Sequence, residues 1–414
     1  MYAALFLFLI FYDAIEARVP MMNYWDELAA MIVFCWGVYT FRKNPRMDKG
    51  ERSNWICLIL LVVIGALSNI VHPGLQDAKT AIIKDVVALC KFPVIFFLLE
   101  RRDVTEEKQK EIISVSAKLT RWILVGSLVA LTIGWFVDLG FYTTDVRILP
   151  SCTFVFSNPT FFISSCAMMA AVLIAESIRK NRIFLLLDCL LIFMAQRTKG
   201  YMILAFLLLF VILGEDWIAR ILALIFGSRD QKAKPVRIIL AMAILGLLLF
   251  VMGKPRIDRF LALGLTTSRV GLHVVGIKIL ADFFPLGSGF GTFASYLSGK
   301  HYSNLYAMYG MDHIWGMTAD FYPFISDVFW PYIYGQFGIF GLLLYGKLII
   351  SMFFRQFFSS IPDTSRIAVL TVWLYAMIAT TSEAYFTNGT GVQMALFLGL
   401  IIGYGSRKKA IAEG

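Results

Sequence analysis

Apolar runs long enough to cross a hydrocarbon core of about 30 Å recur along this chain, and that recurrence restricts it to a membrane fold. They fall near 1–12, 24–41, 54–71, 81–99, 122–140, 160–178, 183–196, 200–214, 236–252, 328–350, 367–383 and 389–405. Composition agrees, with 59% hydrophobic residues, 16% charged residues and a mean hydropathy of +0.73. A soluble globule of 414 residues could not hide that much apolar surface. The expected fold is therefore an all-α polytopic membrane protein of about twelve transmembrane helices, forming one integral-membrane domain over residues 1–414. The first run lacks a basic start and a small-residue cleavage site, so it reads as a span and not as a signal peptide.

Orientation follows from where Lys and Arg fall in the short connections. Alternate connections hold Arg42, Lys43, Arg46, Lys49 and Arg52, then Arg101, Arg102, Lys108, Lys110, Lys118 and Arg121, then Arg179, Lys180 and Arg182. The same parity continues with Arg220, Arg229, Lys232, Lys234 and Arg237, then Arg355 and Arg366, then Arg407, Lys408 and Lys409. These connections are expected to be cytoplasmic, which puts both termini inside and a large loop, 253–327, outside. The net charge of +10 then reflects basic loops facing anionic lipid, and no nucleic-acid partner is needed to explain it.

Several features have plain structural readings. WIARILALIF, at 217–226, is too short to cross and is expected to lie along the cytoplasmic interface. EEKQKEIISVSAKLTR reads as a charged amphipathic connector on the same side. The six cysteines form no CxxC, and neither a disulfide framework nor a zinc site is expected. No internal repeat appears, nor a pair of Gly/Pro-broken spans of the kind that marks many transporters.

Polar chemistry is concentrated outside and within the membrane. The turn QRTKG, at 196–200, joins two spans of about 14 to 17 residues, or roughly 21 to 25 Å of helix. Because that is shorter than the hydrocarbon core, Arg197 and Lys199 should be drawn to phosphate depth or into a cavity. A lone cation there would simply snorkel to head groups, whereas two in one outer turn run against the positive-inside bias. Lys84, Asp85 and Lys91 lie within the span at 81–99, and Lys91 sits roughly 15 Å deep, where a charge needs a partner or a wet cavity. Glu383, near the outer end of the span at 367–383, is a candidate partner for those charges or a catalytic carboxylate.

The outer loop carries TSRVGLHVVGIKILADFFPLGSGFGTFASYLSGKHYSN and then MYGMDHIWGMTADFYPFISDVFWPYIYGQFGIFG. From Ser268 to Phe283 the pattern is an amphipathic helix, with Val270, Val274, Ile277 and Leu280 on one side and Arg269, His273 and Asp282 elsewhere. Pro285 ends it. Gly287, Gly289 and Gly291 lack the strand and helix of a nucleotide fingerprint and are expected to allow a tight bend.

An Arg opening an amphipathic loop helix, then PLGSGFGTF, then SDVFWPYIYGQFGIFGLLLY leading into a span, resembles the Wzy-type bacterial polysaccharide polymerases, relatives of the O-antigen ligases. QRTKG is similar to the basic element those proteins carry at a span start. The resemblance runs from about 145 to 400 in order and topology. It implies a membrane glycosyltransferase at the outer face of the bacterial cytoplasmic membrane, joining undecaprenyl-pyrophosphate-linked repeat units with the lipid pyrophosphate as leaving group. No cofactor, metal or nucleotide sugar is implied. The implied partners are lipid-linked glycans, membrane lipids and a chain-length regulator protein.

A departing pyrophosphate needs fixed positive charge. Arg197, Lys199 and Arg269 are the expected clamp, with Arg147 and Lys91 as further cations. The acceptor hydroxyl needs a proton acceptor. The resemblance favours His313, although MDHIWG departs from the ligase motif, so Asp312, Asp327, Glu383 and His301 remain candidates. Rival readings are a ligase that passes finished glycan to another acceptor, a transporter or flippase for lipid-linked sugar, and a non-catalytic assembly subunit.

Overall fold

The computed structural model describes residues 1–404, apart from 44, 147 and most of 227–266, where only 237, 246, 247, 250, 251, 253–255, 258, 259, 262 and 264 are described. Arg147 and most of the expected span at 236–252 thus lie outside the described residues. The described chain is mostly helical. In order it forms α1 (Tyr2–Glu16), α2 (Trp25–Lys43), α3 (Lys49–Val71), α4 (Lys79–Leu99), α5 (Glu106–Phe136), α6 (Pro159–Glu176), α7 (Arg182–Met194) and α8 (Thr198–Phe226). There follow α9 (Ser268–Asp282), α10 (Tyr296–Lys300), α11 (Asn304–Met308), α12 (Trp330–Phe357), α13 (Asp363–Ala379) and α14 (Gly389–Leu396), the last continuing as a π-helical turn over Phe397–Ile402. A small antiparallel hairpin, β1 (Tyr142–Val146) with β2 (Pro150–Cys152), is a departure from the all-α expectation.

Local chemistry explains several helix starts. Asp48 caps α3 by accepting from the Glu51 N–H at 2.8 Å, and Thr105 caps α5 ahead of Glu106 and Glu107 in its first turn. Asn158 and Asn388 cap α6 and α14 in the same way, with Pro159 opening α6. The Thr105 cap also corrects one expectation: EEKQKEIISVSAKLTR is no separate connector but the first half of α5, continuous to Phe136. WIARILALIF follows a break at Gly214 (φ 75°, ψ 166°) inside α8, so it does change direction after the apolar run.

At the centre stands α6, buried from Phe162 through Ala175 and packed against α13, α5 and α7. Its Ser, Cys and Ala residues let neighbouring backbones approach closely. By contrast α3, α5 and α8 turn Ile59, Ile70, Ile133 and Ile212 outward, an apolar surface suited to lipid. Among the described residues five helices are long and apolar enough to cross a bilayer: α3, α5, α6, α8 and α12. Within the described residues the other expected crossings coincide with helices that are shorter or charged. The 13-residue α7 is too short, and α4 carries Lys84, Asp85 and Lys91.

The Gly-rich loop is a docking device. Gly287, Gly289 and Gly291 all have positive φ, and the loop inserts where α12 breaks at Gly338 (φ 62°). The N–H groups of Ser288 and Gly289 donate to the carbonyls of Gly335 and Gln336 at 2.9 Å each, and Ile339 N–H donates to Pro285 O at 3.2 Å. Gln336 Nε2 donates to Phe293 O at 2.6 Å, while Asp85 and Gln336 side chains both accept from Gly291 N–H. Asn69 of α3 pairs with both backbone groups of Phe290. A Cβ on Gly287 would stand 2.4 Å from Gly338 N, which is why the expected tight bend requires glycine. The loop thereby fixes α9 against α12 and α3.

Candidate functional site

A cleft of about 1620 Å³ opens where several helices begin. Asn158 and Thr160 come from the start of α6, Thr198 and Lys199 from α8, Arg269 from α9, and Asn388 from the cap of α14. Four N-terminal helix ends therefore contribute partial positive charge to one space, which favours an anionic occupant. Side chains reinforce this: Lys84, Lys91, Arg197, Lys199, Arg269 and Lys300 line the cleft against the carboxyls of Glu27, Asp85, Asp327 and Glu383.

The QRTKG turn places Arg197, Thr198 and Lys199 along the cleft. Gln196 is fully buried at positive φ (54°), which turns the chain from α7 into α8. Its side chain bonds Tyr201 Oη and Phe193 O at 2.9 Å each. Ser151 Oγ, from β2, donates to Ala195 O at 2.7 Å and pins the same corner. From that corner Lys199, only 8% exposed, reaches Glu383 Oε1 at 2.9 Å, and Arg197 reaches Asp145 of β1 at 2.9 Å. Arg269 Nε donates to Asp327 Oδ2 at 2.8 Å, and this pair lies within electrostatic reach of the Lys199–Glu383 pair.

Lys91 finds the partner its depth demanded, though not the expected one. It pairs with Asp26 and, at 3.2 Å, with Glu27, both in the first turn of α2. Glu383 belongs instead to Lys199, because α13 ends at Ala379 and the following turn carries Glu383 across to α8. Of the sequence candidates, the structure thus brings Arg197, Lys199, Arg269, Lys91, Asp327 and Glu383 to one cleft.

His313, Asp312 and His301 are elsewhere. The His313 side chain is 85% exposed, 3.5 Å from Asp312, and neither lines the cleft. His301 caps the end of α10 and is likewise outside the lining. The histidine that does line the cleft is His273, on α9 one turn after Arg269. Its Nδ1 lies 3.0 Å from Tyr334 Oη of α12, at a solvent-exposed position of the cleft. The signal was present in the sequence, since residues four apart share a helical face. Lys300, Asn158 and Asn388 were also missed, and no spacing rule links such distant positions.

Chemically, each of Arg197, Lys199 and Arg269 is held by a carboxylate that an incoming polyanion could replace. Such positions give an anionic ligand charge-assisted hydrogen bonds within one cleft. Compared with known proteins, the chain matches no family model and no curated protein.

Proposed function

We propose that this chain is a membrane glycosyltransferase that polymerises undecaprenyl-pyrophosphate-linked oligosaccharide repeat units at the outer face of the bacterial cytoplasmic membrane. The observation that carries the reading is the convergence of Arg197, Lys199 and Arg269 with Asp327 and Glu383 at helix N-termini in one cleft. A pyrophosphate leaving group needs that charge, and guanidinium groups meet it with bidentate contacts. Lys91 lies deeper and is neutralised by α2, so it supports the cleft wall in this reading.

About twelve crossings, with the shorter helices α2, α4, α7 and α13 among them, would put the starts of α6, α8, α12 and α14 on the outer side. Basic connections then face the cytoplasm, as the positive-inside bias requires. A regulator of chain length would be a separate partner protein.

The test is purified protein in lipid nanodiscs supplied with lipid-linked repeat units alone. A ladder of lengthening glycans is expected. Product only after a second acceptor is added would mean ligase-type transfer, and no product with either would overturn the transferase reading in favour of a transporter or scaffold. Arg269→Ala and Arg197→Ala should abolish polymer while protein stays in the membrane. Full-length polymer from both variants would sink the clamp.

A further inference from the structure

The geometry points to His273 as the proton acceptor for the incoming sugar hydroxyl, with Tyr334 as the residue that sets its tautomer; this rests on the transferase reading above. Three observations lead there. First, the carboxyls of the cleft are engaged: Asp327 with Arg269, Glu383 with Lys199, Glu27 with Lys91, and Asp85 with the Gly291 N–H. Among the described lining residues His273 is the base that is in neither an ion pair nor a hydrogen bond from a backbone N–H, and it is open to solvent.

Second, Tyr334 stands where it can support the tautomer that the step needs. Tyr334 Oη lies 3.4 Å from the carbonyl oxygen of His273, to which it can donate, and 3.0 Å from Nδ1. In the tautomer assigned here the phenol proton goes to the carbonyl and Oη accepts from Nδ1–H, which leaves the imidazole lone pair on Nε2. Third, the Gly-rich clasp fixes both partners, because it ties the segment after α9 to the break in α12, the helix that carries Tyr334. Gly276 lies directly beneath the Tyr334 ring, where a Cβ would stand 2.7 Å from it, so α9 and α12 meet closely at this point.

In the reaction the acceptor hydroxyl gives its proton to Nε2 as its oxygen bonds to the anomeric carbon. The bond from that carbon to the phosphate oxygen breaks, and its electron pair leaves with the lipid pyrophosphate, which Arg197, Lys199 and Arg269 retain. His273 then returns the proton to water.

The experiment uses the full chain in nanodiscs with lipid-linked repeat units extracted from cells that make the protein. His273→Ala is expected to lower turnover by about 100-fold or more, while undecaprenyl pyrophosphate still raises its melting temperature as in the native protein. Added imidazole is expected to restore part of the turnover, which a merely structural loss would not allow. Tyr334→Phe is expected to lower kcat by about five- to tenfold, with KM unchanged, for the loss of one orienting hydrogen bond. Native-level turnover in His273→Ala would overturn the assignment, as would loss of turnover that imidazole cannot restore. Absence of any ladder with the native protein would overturn the transferase reading itself, and the two failures are thereby distinguished.

Discussion

The Lys199–Glu383 pair is the site feature whose removal has the most calculable effect. Its atoms stand 2.9 Å apart with side chains 8% and 12% exposed. At an effective dielectric of about 20, that separation corresponds to an attraction of roughly 6 kcal/mol, against which the desolvation of both ions must be set. Removing one member leaves the other charged and unmatched, so Lys199→Met and Glu383→Gln should each destabilise by about 3–5 kcal/mol. The double variant should cost well under the sum, since neither charge then remains buried; a coupling of about 2 kcal/mol or more is expected. Thermal melting of the four proteins in the same nanodiscs measures this. If the two single losses add in the double variant, or if either single variant melts with the native protein, the two side chains are not joined and the site is wrongly assembled. Ligand binding adds a second readout: Glu383→Gln should bind pyrophosphate more tightly, because the substitution removes a negative charge beside Lys199.

Other outcomes are expected of the same molecule. Asp145→Asn should change stability by less than about 1 kcal/mol, because its bond to Arg197 lies at a surface where Asp145 is 49% exposed. Gly338→Ala would place a Cβ 2.0 Å from Pro285 O at φ +62°, so it should cost about 2–5 kcal/mol and lower turnover by loosening α9. Gly346→Ala in the same helix meets nothing within 4 Å, should be neutral or slightly stabilising, and serves as the comparison in the same melting series. Asp48 has its carboxyl lowered to about 2 by the hydrogen-bonded Arg355 guanidinium. Its contribution should be present above the unfolded value of about 3.9 and be lost as pH falls toward 2. Solvent screening at a side chain 52% exposed keeps that contribution within about 1 kcal/mol. Asp48→Asn should therefore melt only slightly earlier at pH 7, with the difference vanishing near pH 2.

Much of the helix layout could be read from the sequence, because apolar length and capping chemistry act locally. The starts of α6 at Asn158, of α9 at Ser268 and of α14 after Asn388 fall within a residue or two of the expected positions. Where reading failed, a local rule competed with a longer one. The charged run from Glu106 looked like a connector because its composition is polar, yet Thr105 caps it and nothing interrupts the helix to Phe136. The hairpin at Tyr142–Cys152 was missed because such short strands are held by their pairing with each other and by Phe141 contacts, not by a long alternation.

The sequence by itself determined that the chain is helical and apolar enough for a membrane, that Arg197 and Lys199 stand in one short turn, and that Gly287, Gly289 and Gly291 allow a tight bend. Those are consequences of hydropathy, span length and backbone freedom, each acting within a few residues. Only the tertiary structure decided which charges meet. It gave Lys91 to α2, joined Lys199 to Glu383 across 184 residues, and left His313 outside the cleft while turning His273 into it. An ion pair forms where packing brings two side chains together after desolvation, and here α2 packs on α4 and α8 on α13, contacts between helices far apart in the chain that no periodicity announces.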